Sequence, residues 1–112
     1  MKKHYITEMG MGVDVHGGNY TKAAKRAVSD AIRHSSLNFF PHLGKSPHQM
    51  VITVKIGAGD PEAIDKEAVA AELPYGTVTV EPVQGGLNIP GNDDKDLMVI
   101  VNAAILVHFE EE

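Results

Sequence analysis

Cysteine is absent from these 112 residues, which excludes disulfide frameworks and thiolate chemistry. Tryptophan is absent too, and three Phe with three Tyr leave few rings for the stacking platforms that bind single-stranded nucleic acid. No apolar run approaches the roughly eighteen residues of a membrane span, and the N-terminus lacks a signal-peptide core. The expected compartment is the cytoplasm, with no membrane partner. A net charge of −5 without a basic stripe argues against nucleic acid as a partner. No Ser–His–Asp or Cys–His set is identifiable, so covalent catalysis is disfavoured.

What is there is ordinary for a globular chain: 43% hydrophobic residues, enough to bury one core in a single domain spanning residues 1–112. Lys2 to Met9 alternates as a strand. From Tyr20 to about Asn38, Ala23, Ala24, Ala27, Val28, Ala31 and Ile32 recur at helical spacing. Lys22, Lys25, Arg26, Asp30 and Arg33 fill the other face. Pro41 and Pro47 mark a loop, and Met50 to Ile56 is a second strand. Asp60-Pro61 opens a second helix as N-cap and first helical residue, with Ile64, Ala68 and Ala71 inward and Pro74 at its end. Thr77 to Val83 is a third strand. A glycine-rich connection, Gln84 to Asp96, leads to the almost wholly apolar Leu97–Val107, a strand expected to be central and covered on both faces.

The expected fold is therefore α+β, with order β-α-β-α-β-β in one mixed four-stranded sheet and two helices on one face. Two helices cover only one face of such a sheet, so a homo-oligomer using the other face is expected.

The most specific run is Gly10 to Gly17, Gly-Met-Gly-Val-Asp-Val-His-Gly. Right-handed crossovers bring this run, Gly57–Pro61 and Gln84–Asp96 to one edge of the sheet, beyond the carboxyl ends of strands one to three, where ligands of open α/β sheets usually sit. His4, His42, His48 and His108 fall at the opposite edge. Gly10, Gly12, Asp14, His16 and Gly17 resemble the Gly-x-Gly-x-Asp-x-His-Gly signature of a small uncharacterised bacterial and plant family of about this length. That resemblance implies a compact single-domain protein and no particular activity. The element order also resembles the chorismate-mutase-like architecture, whose members commonly form trimers with small-molecule sites between subunits.

Several chemistries fit the run. His16 can serve as general acid or base, oriented by Asp14. The two can bind a substrate jointly, with Gly10, Gly12, Gly17, Asp60, Asn92 and Asp93 as further ligand-binding residues. Asp-x-His is also a metal-ligand spacing, with Asp60 or Asp93 as a third ligand. Two good local ligands fall short of a stable site, so no tightly bound metal and no cofactor are expected. The plainest alternative is that Asp14 satisfies backbone amides of a turn and His16 caps the loop. Gly10-x-Gly12 lacks the third glycine of a dinucleotide fingerprint. Asn102 interrupts the apolar run and reads as an amide bonded at a strand edge or an interface. Asp93, Asp94 and Asp96 with Lys95 read as a solvated turn. The leading expectation is a small-molecule enzyme acting through His16 and Asp14. The alternative is a non-catalytic oligomeric module binding a small molecule or a metal.

Overall fold

A computed structural model of the chain describes residues 1–33, 44–93 and 96–111. It is an α+β fold built on one mixed sheet. Strand β1 (Lys2–Asp14) leads into helix α1 (Tyr20–Arg33) and then strand β2 (Val51–Ala58). A 3-10 turn at Pro61–Ala63 and the short helix α2 (Lys66–Ala70) precede β3 (Thr77–Gln84), β4 (Leu87–Pro90) and β5 (Leu97–Glu110). The strand order is β1-β5-β2-β3, with β5 antiparallel to both neighbours and β2 parallel to β3. Strands β1, β2 and β3 thus run the same way, as right-handed crossovers predict. The apolar β5 is central.

Among the described residues the sheet has five strands rather than four. Leu87–Pro90, expected as part of a loop, pairs with Leu97–Ile100 and continues the β5 ladder beyond the point where β2 ends. Four exposed residues between glycines carry no periodicity long enough to betray a strand. The first strand is also longer than expected. It runs five residues past Met9, so Gly10, Gly12 and Asp14 are strand residues and only Val15–Asn19 turns the chain.

The second helix also departs from expectation. Asp60 makes no side-chain cap bond, and the turn that follows it closes after Ala63. Asp65 is the working N-cap, its carboxylate accepting from the Ala68 amide at 3.1 Å. Ile64 and Val69 are buried, whereas Ala71 is exposed. The expected extension of α1 to Asn38, with His34, Pro41 and His42, lies outside the described residues.

Helix α1 lies on β1 and β5, and α2 lies beside it over β3. The core is the seam between these helices and the inner sheet face: Ala23, Ala24, Ala27, Val28 and Ala31 of α1 are fully buried against Ile56, Val99, Val101 and their neighbours. Among the described residues no helix lies on the other sheet face. Strand register assigns to it Thr7, Met9, Met11 and Val13 of β1, then Ile100, Asn102, Ala104, Leu106 and His108 of β5. Val51, Thr53, Lys55 and Gly57 of β2, Glu81 and Val83 of β3, and Leu87 and Ile89 of β4 complete it. No helix among the described residues is long and apolar enough to cross a membrane.

Candidate functional site

The alternation of β1 decides what the glycine-rich run does. Gly10, Gly12 and Asp14 are two apart, so all three face α1. A Cβ built on Gly10 would lie 2.3 Å from the Ala27 carbonyl oxygen, and one on Gly12 would lie 2.0 Å from that of Ala23. The helix backbone therefore rests directly on the strand at these two positions. Their glycines serve helix–sheet contact rather than close approach to a ligand.

Asp14, the third member of the series, lies under the first turn of α1 with 4% of its surface exposed. Its Oδ2 accepts from the Asn19 amide at 2.9 Å, while Lys22 Nζ and Arg26 Nη1 stand 3.8 Å from Oδ1. Asn19 in turn caps the helix, its Oδ1 accepting from the Lys22 amide at 3.0 Å. Gly17 and Gly18 hold φ of +85° and +60°, the left-handed conformation that lets five residues reverse the chain. The Gly18 amide donates to the Leu97 carbonyl at 3.0 Å and ties the turn to the start of β5.

His16 does not meet Asp14. It stands at the rim with its side chain 81% exposed, and its Nδ1–H donates to Asp96 Oδ1 at 2.7 Å. The carboxylate that orients His16 is thus Asp96, from the segment expected to be a solvated turn. Asn92 and Asp93 are exposed in that same turn, where the Asp96 amide donates to the Asp93 carbonyl at 3.2 Å. Asp60 belongs to the β2–α2 connection, and Gly17 supplies the turn beside His16. Asp94 and Lys95 lie outside the described residues. With Asp14 committed to α1 and His16 to Asp96, the two do not form a shared acid–base or metal-ligand pair. Among the described residues no three His, Asp or Glu side chains converge as a metal cluster.

The arrangement at the rim is a carboxylate–imidazole pair. Asp96 accepts from Nδ1, which fixes the tautomer of the neutral ring and leaves the Nε2 lone pair available. Beside this rim the open face turns strongly apolar. Met9 is 72% exposed, Met11 53%, Leu87 60%, Val83 46% and Ile89 42%. Sequence reasoning missed this patch and Asp96. The patch was signalled by the Thr7, Met9, Met11, Val13 alternation, which places large apolar side chains opposite the helix-facing glycines.

Comparison with known proteins agrees with the fold. A family model described as a conserved hypothetical protein (Lin0512_fam) matches residues 4–107. A crystal structure of an FtsZ-like protein of unknown function from Nostoc punctiforme is similar over 98% of each chain, with 38% sequence identity and a TM-score of 0.89. No curated protein matches the sequence.

Proposed function

The chain belongs to the Lin0512 family of conserved hypothetical proteins, and we propose that it works as a homo-oligomer. In this reading the open sheet face packs against another copy, and a small molecule binds at the rim beside His16 and Asp96. The observation that carries the proposal is the apolar patch of Met9, Met11, Val83, Leu87 and Ile89 on a face that no helix among the described residues covers. A contiguous apolar surface rimmed by polar groups marks a contact site in a water-soluble protein.

A second copy fits this face better than a charged partner. Its central charges, Lys55 and Glu81, already pair with each other at 3.4 Å. The rest of the face is mostly threonine and aliphatic side chains, with Asn102 among them and His4 and His108 only at its far end, close to the depleted-charge composition of an interface core. Edge-to-edge association is the less suitable mode. The outer edge of β1 is blunted by α1, because Asp30 Oδ2 accepts from the Met11 amide at 3.0 Å and Arg26 donates to the Val13 carbonyl at 2.6 Å. Resemblance in element order to the chorismate-mutase-like architecture, with its sites between subunits, supports the same reading.

Substitution locates the contact. Met11→Glu and Leu87→Glu each put a charge into the patch and are expected to yield monomers, measured by light scattering on a sizing column. Lys25→Glu, on the helix side, is expected to leave the assembly intact. Assembly that survives both patch variants and yields only to the helix-side change refutes the reading.

A second reading rests on the 2.7 Å His16–Asp96 bond: an enzyme using His16 Nε2 as general base or acid toward a small molecule. Asp96 is then the positioning residue in place of Asp14. A substrate screen tests it, with turnover abolished in His16→Gln and reduced in Asp96→Asn. Turnover that is unchanged in His16→Gln contradicts it.

A further inference from the structure

At the far end of the open face, two histidines stand opposite each other. His4 of β1 and His108 of β5 are register partners, and their ring centroids are 5.0 Å apart with 42° between ring planes. The ladder shifts at the next residue, between His4 and Ile6. There His4 Nε2 lies 2.9 Å from the Ile6 carbonyl oxygen and 2.7 Å from Thr7 Oγ1. A carbonyl only accepts, so Nε2 carries the proton. The Nδ1 of the neutral ring is then the nitrogen with a free lone pair.

Histidines that bind metals ordinarily donate their other N–H to a carbonyl or carboxylate, which sets tautomer and ring orientation in advance. The spacing of the pair suits the same role. A zinc ion about 2.1 Å from one nitrogen of each ring, in tetrahedral geometry, places the two centroids roughly 5 Å apart. Two further ligands are needed, and no third His, Asp or Glu joins the pair among the described residues.

We propose that His4 and His108 form half of a zinc-class metal site, completed by the same two histidines of a second copy packed on the open face. The inference rests on the self-association proposed above. Sheets packed face to face are about 10 Å apart, a gap that imidazoles reaching from both sides can bridge through one ion. A two-fold axis running along the strands sets His4 and His108 against their own counterparts. The same axis sets the Met9–Met11 region against its counterpart.

The test is a zinc titration of the metal-stripped full chain, with mass measured in parallel in chelator and in zinc. The expected stoichiometry is one zinc per two chains. Affinity is expected to fall at least tenfold in His4→Gln and in His108→Gln and to be unchanged in His48→Gln, with circular dichroism verifying the fold of each. Wild-type chain that binds no zinc at micromolar concentration overturns the site, as does binding unaffected by either substitution or a stoichiometry of one zinc per chain. The two proposals fail separately. An oligomer in chelator without zinc binding removes only the metal site, whereas a chelator-treated monomer that pairs on adding zinc retains the metal site and removes the apolar contact.

Discussion

Replacing Gly12 by alanine places one methyl group where helix α1 already lies. The new Cβ would stand 2.0 Å from the Ala23 oxygen and 2.5 Å from the Ala27 nitrogen, about 1.4 Å short of ordinary contact at the closer atom. Both obstacles are helix backbone, so no side-chain rotation relieves them. The helix must lift, and Ala23, Ala24, Ala27, Val28 and Ala31, all fully buried, then lose part of their contact with the sheet. Taken alone, glycine-to-alanine in an extended strand stabilises by roughly 0.4–1 kcal/mol through the unfolded chain. Overpacking against a rigid neighbour costs roughly 1–3 kcal/mol and sometimes more, and here it lies at the upper end because the obstacle is backbone on both sides. A net loss of about 2–3 kcal/mol lowers the melting temperature by roughly 8–13 °C in a domain of this size. Gly10→Ala, with contacts of 2.3 and 2.5 Å to Ala27 and Ala31 backbone, is expected to behave alike. Gly17→Ala is the control, since its φ is +85° but no atom lies within 4 Å of the added carbon. It is expected to lose about 1 kcal/mol, the left-handed penalty alone. Calorimetry at one fixed protein concentration compares the three. A Gly12→Ala protein that melts with the wild type, or above Gly17→Ala, refutes the assignment of these glycines to helix seating.

Asp14→Ala removes the acceptor for the Asn19 amide beneath Lys22 and Arg26 and is expected to lose about 2–3 kcal/mol in urea unfolding. Asp14→Asn, which retains an acceptor, is expected to lose less. Asn19→Ala removes the helix cap and is expected to lose about 1 kcal/mol by the same measurement. His16→Ala and Asp96→Asn break an exposed pair and are expected to stay within about 0.5 kcal/mol of wild type, so a loss of activity or ligand binding in either reports on the site rather than on folding.

Element order and the helix-covered face were readable because they rest on long periodic signals. The Ala23–Ala31 spacing and the unbroken apolar character of Leu97–Val107 have few other solutions. The boundaries that moved did so for local reasons. The glycines after Met9 resemble a turn, yet they continue the strand because α1 needs their missing side chains. Asp60-Pro61 has the residue types of a helix start, but the helix begins five residues later, where Asp65 can reach the Ala68 amide. At the site, the spacing of Asp14 and His16 was visible, whereas their separation was not. The strand ends between them and the chain turns, so Asp14 points under α1 and His16 outward. Its partner Asp96 lies 80 residues away in sequence, and only the β1–β5 pairing brings the two together.

Sedimentation equilibrium of the untagged chain in chelator, over a range of micromolar concentrations, bears most directly on the central proposal. A homo-oligomer through the open face predicts a mass that is a whole multiple of 12.1 kDa and falls to 12.1 kDa in Met11→Glu. A wild-type mass of 12.1 kDa at every concentration would contradict it, leaving Met9, Met11 and Leu87 as surface residues without a partner copy.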